Sequence, residues 1–473
     1  MKSYTGVINM KEKITKKAEN LREDIITTIQ EWIKIPSVEG DPADDMPFGE
    51  EVHRALTTAL KKGENLGFKV KNIDNYAGHI EIGEGDDVLA VLCHLDVVPE
   101  GSGWTYPPYS AEIHDGKIYG RGTIDDKGPA VAALYALKIV DDLGIKLNKK
   151  VRLILGTNEE SGMKGIDYYL KKEKMPDLAF SPDATYPAIH AEKGILDLEF
   201  TYPLDKNNSS VSILSIKGGN ARNMVPDFCE AKLKGIDKKT AKNLLTDFNY
   251  DKDALNLEEN DSILTISYKG VSAHGSTPQE GDNAVSRLLS LLSFLVDDDN
   301  PTAEFINFYN EKIGLESNGM SIGCADNDQV SGDLTFNVGI INVNNDKAEF
   351  YVNIRYPVSS NGDKVISDIK ENIPEKLTVK KYREAKPLFV EKDDPFIVTL
   401  MNAYREFTND DKDPIAIGGG TYARKMKKGV AFGPLFPGEK ELAHQKNEFI
   451  SIDNLIKSTA IYAKTIIDIA GEK

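Results

Sequence analysis

Hydrophobic positions follow three rhythms along this chain, and each predicts a different kind of element. Ile14, Leu21, Ile25, Ile29, Trp32 and Ile33 recur mostly at steps of three and four, which predicts an amphipathic helix over residues 10–34. Val88–Cys93 and, apart from its one Arg, Val151–Leu155 are continuous apolar runs. Both predict strands covered on two faces, as in a parallel α/β sheet. Between them, residues 129–143 are rich in Ala and Leu and predict a helix, with Pro129 near the first turn, where its missing N–H costs little. Strand, helix, strand is a crossover unit. From about Gly194 the rhythm becomes alternation: Leu196, Leu198, Phe200 and Tyr202 are separated by Asp197, Glu199 and Thr201. The same period recurs at Ile263–Tyr268 and Phe350–Ile354, as expected of half-buried antiparallel strands. A helix with an apolar stripe is expected over Asn283–Leu295, and two more over Asp394–Phe407 and Asn454–Ile469. The fold class expected is α/β. Both chain ends, residues 1–193 and 386–473, form one domain around a mixed, mostly parallel sheet, and residues 194–385 form an inserted α+β domain.

Composition narrows the functions. A chain of 473 residues calls for two or three domains. Its net charge of −17 argues against nucleic acid or an anionic membrane as partner, because both need a basic footprint. No apolar run reaches the roughly 18 residues of a membrane span. The start, Met1 to Tyr4, lacks the apolar core of a signal peptide; Met10 is an alternative start that would leave nine residues as a loose extension. Cys93, Cys229 and Cys324 are odd in number and widely spaced, which points to a reducing compartment and a cytoplasmic location. Asn207 and Asn208 each open a glycosylation sequon, a coincidence in such a compartment. Residues 39–51 are acidic, contain Pro42 and Pro47, and are expected to form a solvated loop.

The candidate chemistry gathers where apolar runs end. His94 and Asp96 follow the first strand, and period two points them to one side. His94 can bind a metal while Asp96 accepts its other N–H and fixes the tautomer; taken alone, the pair is equally a surface histidine beside an acid. Residues 120–128, Gly-Arg-Gly-Thr-Ile-Asp-Asp-Lys-Gly, precede a helix. Asp125 there is either a helix cap or a carboxylate placed between two ions, and the phosphate-loop pattern is absent. Glu159 and Glu160 end the second strand with diverging side chains, so one can bind metal while the other faces substrate. Asp183 follows Pro182 after a short apolar run, and His444 lies in a late loop; a turn residue and a structural histidine are the bland alternatives. Jointly, carboxylates with imidazoles and no cysteine among them suit Zn2+, Mn2+ or Co2+.

The combination HLDVVP, GRGTIDDKG, TNEESG, SPDA and AEKG resembles the dinuclear zinc metallopeptidase family that contains bacterial carboxypeptidases, aminoacylases and dipeptidases, and within it the PepV-type dipeptidases. GGNARNMVPD and GVSAHGSTPQEGDNA extend the resemblance through the insert. The resemblance implies two divalent ions per chain, Zn2+ first and Mn2+ or Co2+ as alternates. His94, Asp183 and a bridging Asp125 would hold one; Asp125, Glu160 and His444 would hold the other. It makes Glu159 the general base and the insert a lid, whose His274 stabilises the oxyanion. Asn223 would assist substrate binding, and Arg355 would take the substrate's terminal carboxylate, supported by backbone near Gly420. It also implies a cis peptide between Asp125 and Asp126. The reaction expected is hydrolysis of dipeptides and other short peptides by a monomer. An N-acyl amino acid deacylase or desuccinylase would use the same site, and a non-catalytic metal-binding protein is the reading from another class.

Overall fold

The computed structural model describes residues 9–205, 209–246, 251, 253–297 and 300–472. The start of the N-terminal extension and both sequon asparagines lie outside them. The chain forms two compact units. The first holds the chain up to His190, Leu388–Ile415, and the chain from Gly420 onward; the second holds Ala191–Pro387 and Ala416–Gly419.

The first unit is built on a mixed sheet in which 150–156, 88–94, 178–181 and 429–431 lie side by side and parallel. Residues 77–82 and then 69–73 continue it antiparallel beyond 150–156. The strand Val88–His94 is buried along its whole length, as its unbroken apolar run predicts. Leu89, Val91 and Cys93 face a core shared with the helices Arg22–Ile33, Lys127–Asp142, Pro395–Thr408 and Ile452–Ala470. Ala90 and Leu92 face a smaller cluster with Ile166, Tyr169 and Tyr422. Period two thus feeds two cores from one strand. The helix expected over residues 10–34 is two, Met10–Asn20 and Arg22–Ile33, because Leu21 leaves helical geometry at φ −93°, ψ 2°. The apolar stripe continues across the break, so periodicity alone does not reveal it.

The second unit is an antiparallel sheet in the order 255–260, 263–269, 228–234, 212–218, 335–343, 347–356, 194–203, 378–385. Alternate residues Leu196, Leu198, Phe200, Phe350, Val352 and Ile354 bury against Ala284–Leu292 and Pro301–Lys312, with Phe200 and Phe350 stacked at 4.7 Å. Asn283 caps the first of these helices through Val285 N and Ser286 N, as an Asn before an apolar stripe does. Residues 416–419, which sequence reasoning leaves with the chain ends, belong to this unit. The Ile417 carbonyl accepts from Lys193 N at 3.0 Å, and the Gly418 carbonyl from Arg355 Nη1 at 2.8 Å. Among the described residues, no helix is long and apolar enough to cross a membrane.

Candidate metal centre

The carboxyl ends of the parallel strands, where α/β sheets collect ligand chemistry, carry His94, Glu159, Glu160 and Asp183. His94 is the last residue of its strand and pairs in register with Gly156, the last residue of the next. A side chain at Gly156 would collide with the Tyr422 ring, so the backbone must approach bare there. After Gly156, Asn158 closes a turn by accepting from Lys164 N at 3.1 Å and donating to Ser161 Oγ at 2.6 Å, and that turn presents Glu159 and Glu160. Asp183 follows the strand Leu178–Ser181. Asp125 comes from the Gly-rich loop, where Gly122 has φ +88° and a Cβ would lie 2.9 Å from Val97. The Asp125–Asp126 peptide bond is cis. His444 is itself left-handed, at φ +62°.

Asp125 offers one oxygen to each imidazole. Its Oδ1 lies 2.9 Å from His94 Nε2 and its Oδ2 3.1 Å from His444 Nε2. Asp183 Oδ2 is 3.9 Å from His94 Nε2, and Glu160 Oε2 is 2.9 Å from His444 Nε2. Among the described residues, two sets of potential ligand atoms each lie within 4.8 Å: His94 with Glu159 and Asp183, and His94 with Asp125 and Glu160. The role expected of Asp96 needs correction. His94 Nδ1 donates at 2.9 Å to the Asp96 backbone carbonyl, while the Asp96 carboxylate stands 3.6 Å away. That carboxylate instead accepts from Glu160 N at 3.1 Å. Asp96 therefore orients both His94 and Glu160, with different atoms.

The donor set fits divalent metal. A carbonyl can only accept, so His94 carries a proton on Nδ1 and turns Nε2 toward the Asp125 and Asp183 carboxylates, which against the opposing push of burial raise its pKa well above the ordinary imidazole range. Nε2 is buried among carboxylate oxygens, where a divalent cation would take the place of its proton. The protonation balance agrees. Burial, and then the Asp183 carboxylate, push Glu159 well above the ordinary carboxyl range. Burial and Asp125 raise Glu160 to about 7 and Asp183 to about 6. Against the opposing push of burial, His444 and His94 hold Asp125 below its ordinary range. His444, bonded to Asp125 and Glu160, rises to about 11 although burial opposes its charge. So many acids around two imidazoles call for positive charge.

Residues 90–468 match the model of Peptidase family M20/M25/M40. The chain belongs to this family. A Bacillus subtilis member described as "Putative dipeptidase YtjP" is 42% identical over 95% of this chain and 98% of its own length. A Staphylococcus aureus relative described as "Putative dipeptidase SAB1611c" is 37% identical, covering 97% of this chain and 99% of its own length. Among solved structures, human carnosine dipeptidase 1 aligns with a TM-score of 0.61 at 17% identity, over 97% of this chain and 98% of its own. The dipeptidase Dug1p from Saccharomyces cerevisiae aligns at 0.56 and 14%, over 97% and 99%. These two share the M20 fold.

The other residues singled out in this M20 chain converge inside the second unit, apart from Gly420. Met224 bridges His274, Val225 N donates to the Ala273 carbonyl at 2.8 Å, and Gly275 N to the Asn223 carbonyl at 2.7 Å, so Asn223 and His274 sit on paired segments. His274 Nδ1 lies 2.6 Å from Ser276 Oγ and 3.3 Å from Ser276 N. Arg355 is buried, with Nε on Asn353 Oδ1 at 2.8 Å and Nη1 on the Gly418 carbonyl; Asn353 in turn donates to Asp197 at 2.6 Å. Gly420 lies in the first unit, against the Arg424 guanidinium. Sequence reasoning missed Glu448, Lys127 and Asp126. Asp126 is buried and accepts from His94 N at 3.1 Å. Lys127 is buried, bonds the Trp32 and Ile35 carbonyls, and is brought down to about 7 by burial. A Lys or Glu beside a helix start reads as solvated, and only the fold reveals the burial.

Proposed function

We propose that this M20 peptidase hydrolyses the peptide bond of dipeptides and other short peptides with two divalent ions, Zn2+ or alternatively Mn2+ or Co2+. The observation that carries the reading is Asp125, whose two oxygens face two different imidazoles. His94 and Asp183 with Asp125 would hold one ion, and Glu160 and His444 with Asp125 the other. Such ions supply Lewis acidity, lowering the pKa of water from about 15.7 toward roughly 7 and polarising a carbonyl. Glu159 takes the proton of the attacking water and returns it to the amide nitrogen as the C–N bond breaks. Divergence from Glu160, which His444 engages, supports that role. Asp96 keeps His94 and Glu160 in place. His274 donates to the developing oxyanion, and Asn223 assists. Arg355, aimed by Asn353, receives the substrate's carboxylate as a planar fork, and backbone near Gly420 supports the same end of the substrate. The second unit then acts as a lid, and the chain works as a cytoplasmic monomer.

The test is Glu159→Gln with metal content measured beside turnover of a free dipeptide and of an N-acetyl amino acid. Lost turnover with both ions retained fits a base, whereas a lost ion would make Glu159 a ligand. Preference for the N-acetyl amino acid would move the substrate to the acylase class.

A further inference from the structure

The loop that carries Asp125 and the loop that carries His444 meet at one buried carboxylate. Glu448 is fully buried and Arg121 nearly so. Glu448 Oε2 accepts from Arg121 Nη1 at 2.7 Å and Gly122 N at 3.2 Å, and Oε1 accepts from Ile124 N at 2.9 Å and Asp125 N at 3.3 Å. Gly120 N donates to the Glu448 carbonyl at 2.9 Å. Arg121 also reaches the Gln445 carbonyl at 3.3 Å and the Pro99 carbonyl at 3.5 Å, and lies over the Trp104 ring. This single ion pair thus bonds the loop that follows Val88–His94, the Gly-rich loop that carries Asp125 and the loop that carries His444. A well-packed apolar pair would serve stability as well as a buried ion pair. What an apolar pair cannot do is accept backbone N–H groups on both oxygens.

We propose that Glu448, held by Arg121, is a positioning residue that sets the spacing of Asp125 and His444 and so governs retention of the ion between them. The inference rests on the two-ion reading above. Glu159, Glu160 and Asp183 leave other strands, and Glu448 does not bond their loops; the ion shared by His94 and Asp183 loses less when Glu448 is altered.

Glu448→Gln keeps the volume but turns an N–H2 group toward N–H donors on one side. The experiment adds Co2+ to demetallated protein and follows its d–d absorption, with melting of the metal-free protein recorded in parallel. Glu81→Gln is the control: it breaks the 2.7 Å pair with Arg152 in the same unit, away from the ligand loops. Wild type and Glu81→Gln should take two equivalents. Glu448→Gln should take one ion with an affinity much nearer the wild-type value and the second about 10- to 100-fold more weakly, the usual size of an effect exerted through a ligand's support. Two ions bound with wild-type affinity, or equal weakening of both, would overturn the proposal. Fewer than two equivalents in wild type would instead remove the two-ion reading, and the proposal with it. If Glu448→Gln fails to fold, Arg121→Lys, which keeps the cation but not the fork, is held to the same criteria.

Discussion

The first unit covers its parallel strands on both faces, so polar chemistry can leave only at the strand ends; the second covers one face of an antiparallel sheet with helices and keeps a polar row on the other. Along Lys347–Tyr356, Phe350, Val352 and Ile354 enter the core, while Asn353 and Arg355 join Asp197 in a hydrogen-bonded row. Arg222 adds to that face, its guanidinium 4.7 Å from the Tyr351 ring and 3.7 Å from Tyr382. The comparison teaches where each architecture can afford function. A doubly covered sheet concentrates ligands from distant sequence positions at one edge. A singly covered sheet can display polar groups along a strand and brace each by its neighbour.

The comparison is broken most severely by changing the chemistry of the first unit without its fold. Glu159→Gln should lower kcat by about 10²- to 10⁴-fold with metal content unchanged, checked by steady-state kinetics and elemental analysis. Next comes the core of the second unit. Phe350→Ala should destabilise it by about 3–5 kcal/mol, seen as an earlier calorimetric transition, while Co2+ binding in the first unit is unchanged; lost Co2+ would mean that the units do not stand apart energetically. His274→Ala should lower kcat by about 10²- to 10³-fold with both ions retained, and metal loss would reassign that histidine to the centre.

The smallest effect concerns acid. His79 is buried between strands of the first unit, bonded to Tyr169, and burial lowers its pKa to about 4. Unfolded, it titrates near 6.5, so between pH 6.5 and about 4 the unfolded chain takes up a proton that the folded one refuses. Stability falls by about 3 kcal/mol as pH drops through that window. In the second unit, backbone N–H groups of Ser331 and Ser359 outweigh burial and bring Asp328 down to about 2, a contribution present above about 3.8 and lost only toward pH 2. The first unit should therefore melt earlier at pH 4.5 than at pH 7, and His79→Gln should lose that part of the slope in a urea titration at both pH values.

Much of this was legible where one residue type serves one purpose over several positions. Val88–Cys93 is apolar throughout because both its faces are covered, and the acids and the histidine stand out at its end. Alternation from Leu196 to Tyr202 reports one covered face just as directly. What escaped depends on single long-range partners. Glu448 meets Arg121 across 327 positions, Asp96 divides its work between a carbonyl and a carboxylate, and residues 416–419 join the second unit through two backbone acceptors. None of these leaves a period in the sequence.

The gap between Asp183 and His444 also has a meaning in time. It is 261 residues long (444 − 183), and a ribosome adding roughly 5–20 residues per second spends about 10–50 s on it. For that interval the nascent chain holds His94, Asp125, Glu160 and Asp183 but not His444, whose Nε2 meets Asp125 and Glu160 in the folded chain. The whole second unit emerges before His444 does, so any chain that stops short of it lacks one of the two imidazoles that face Asp125, however well its first strands have folded.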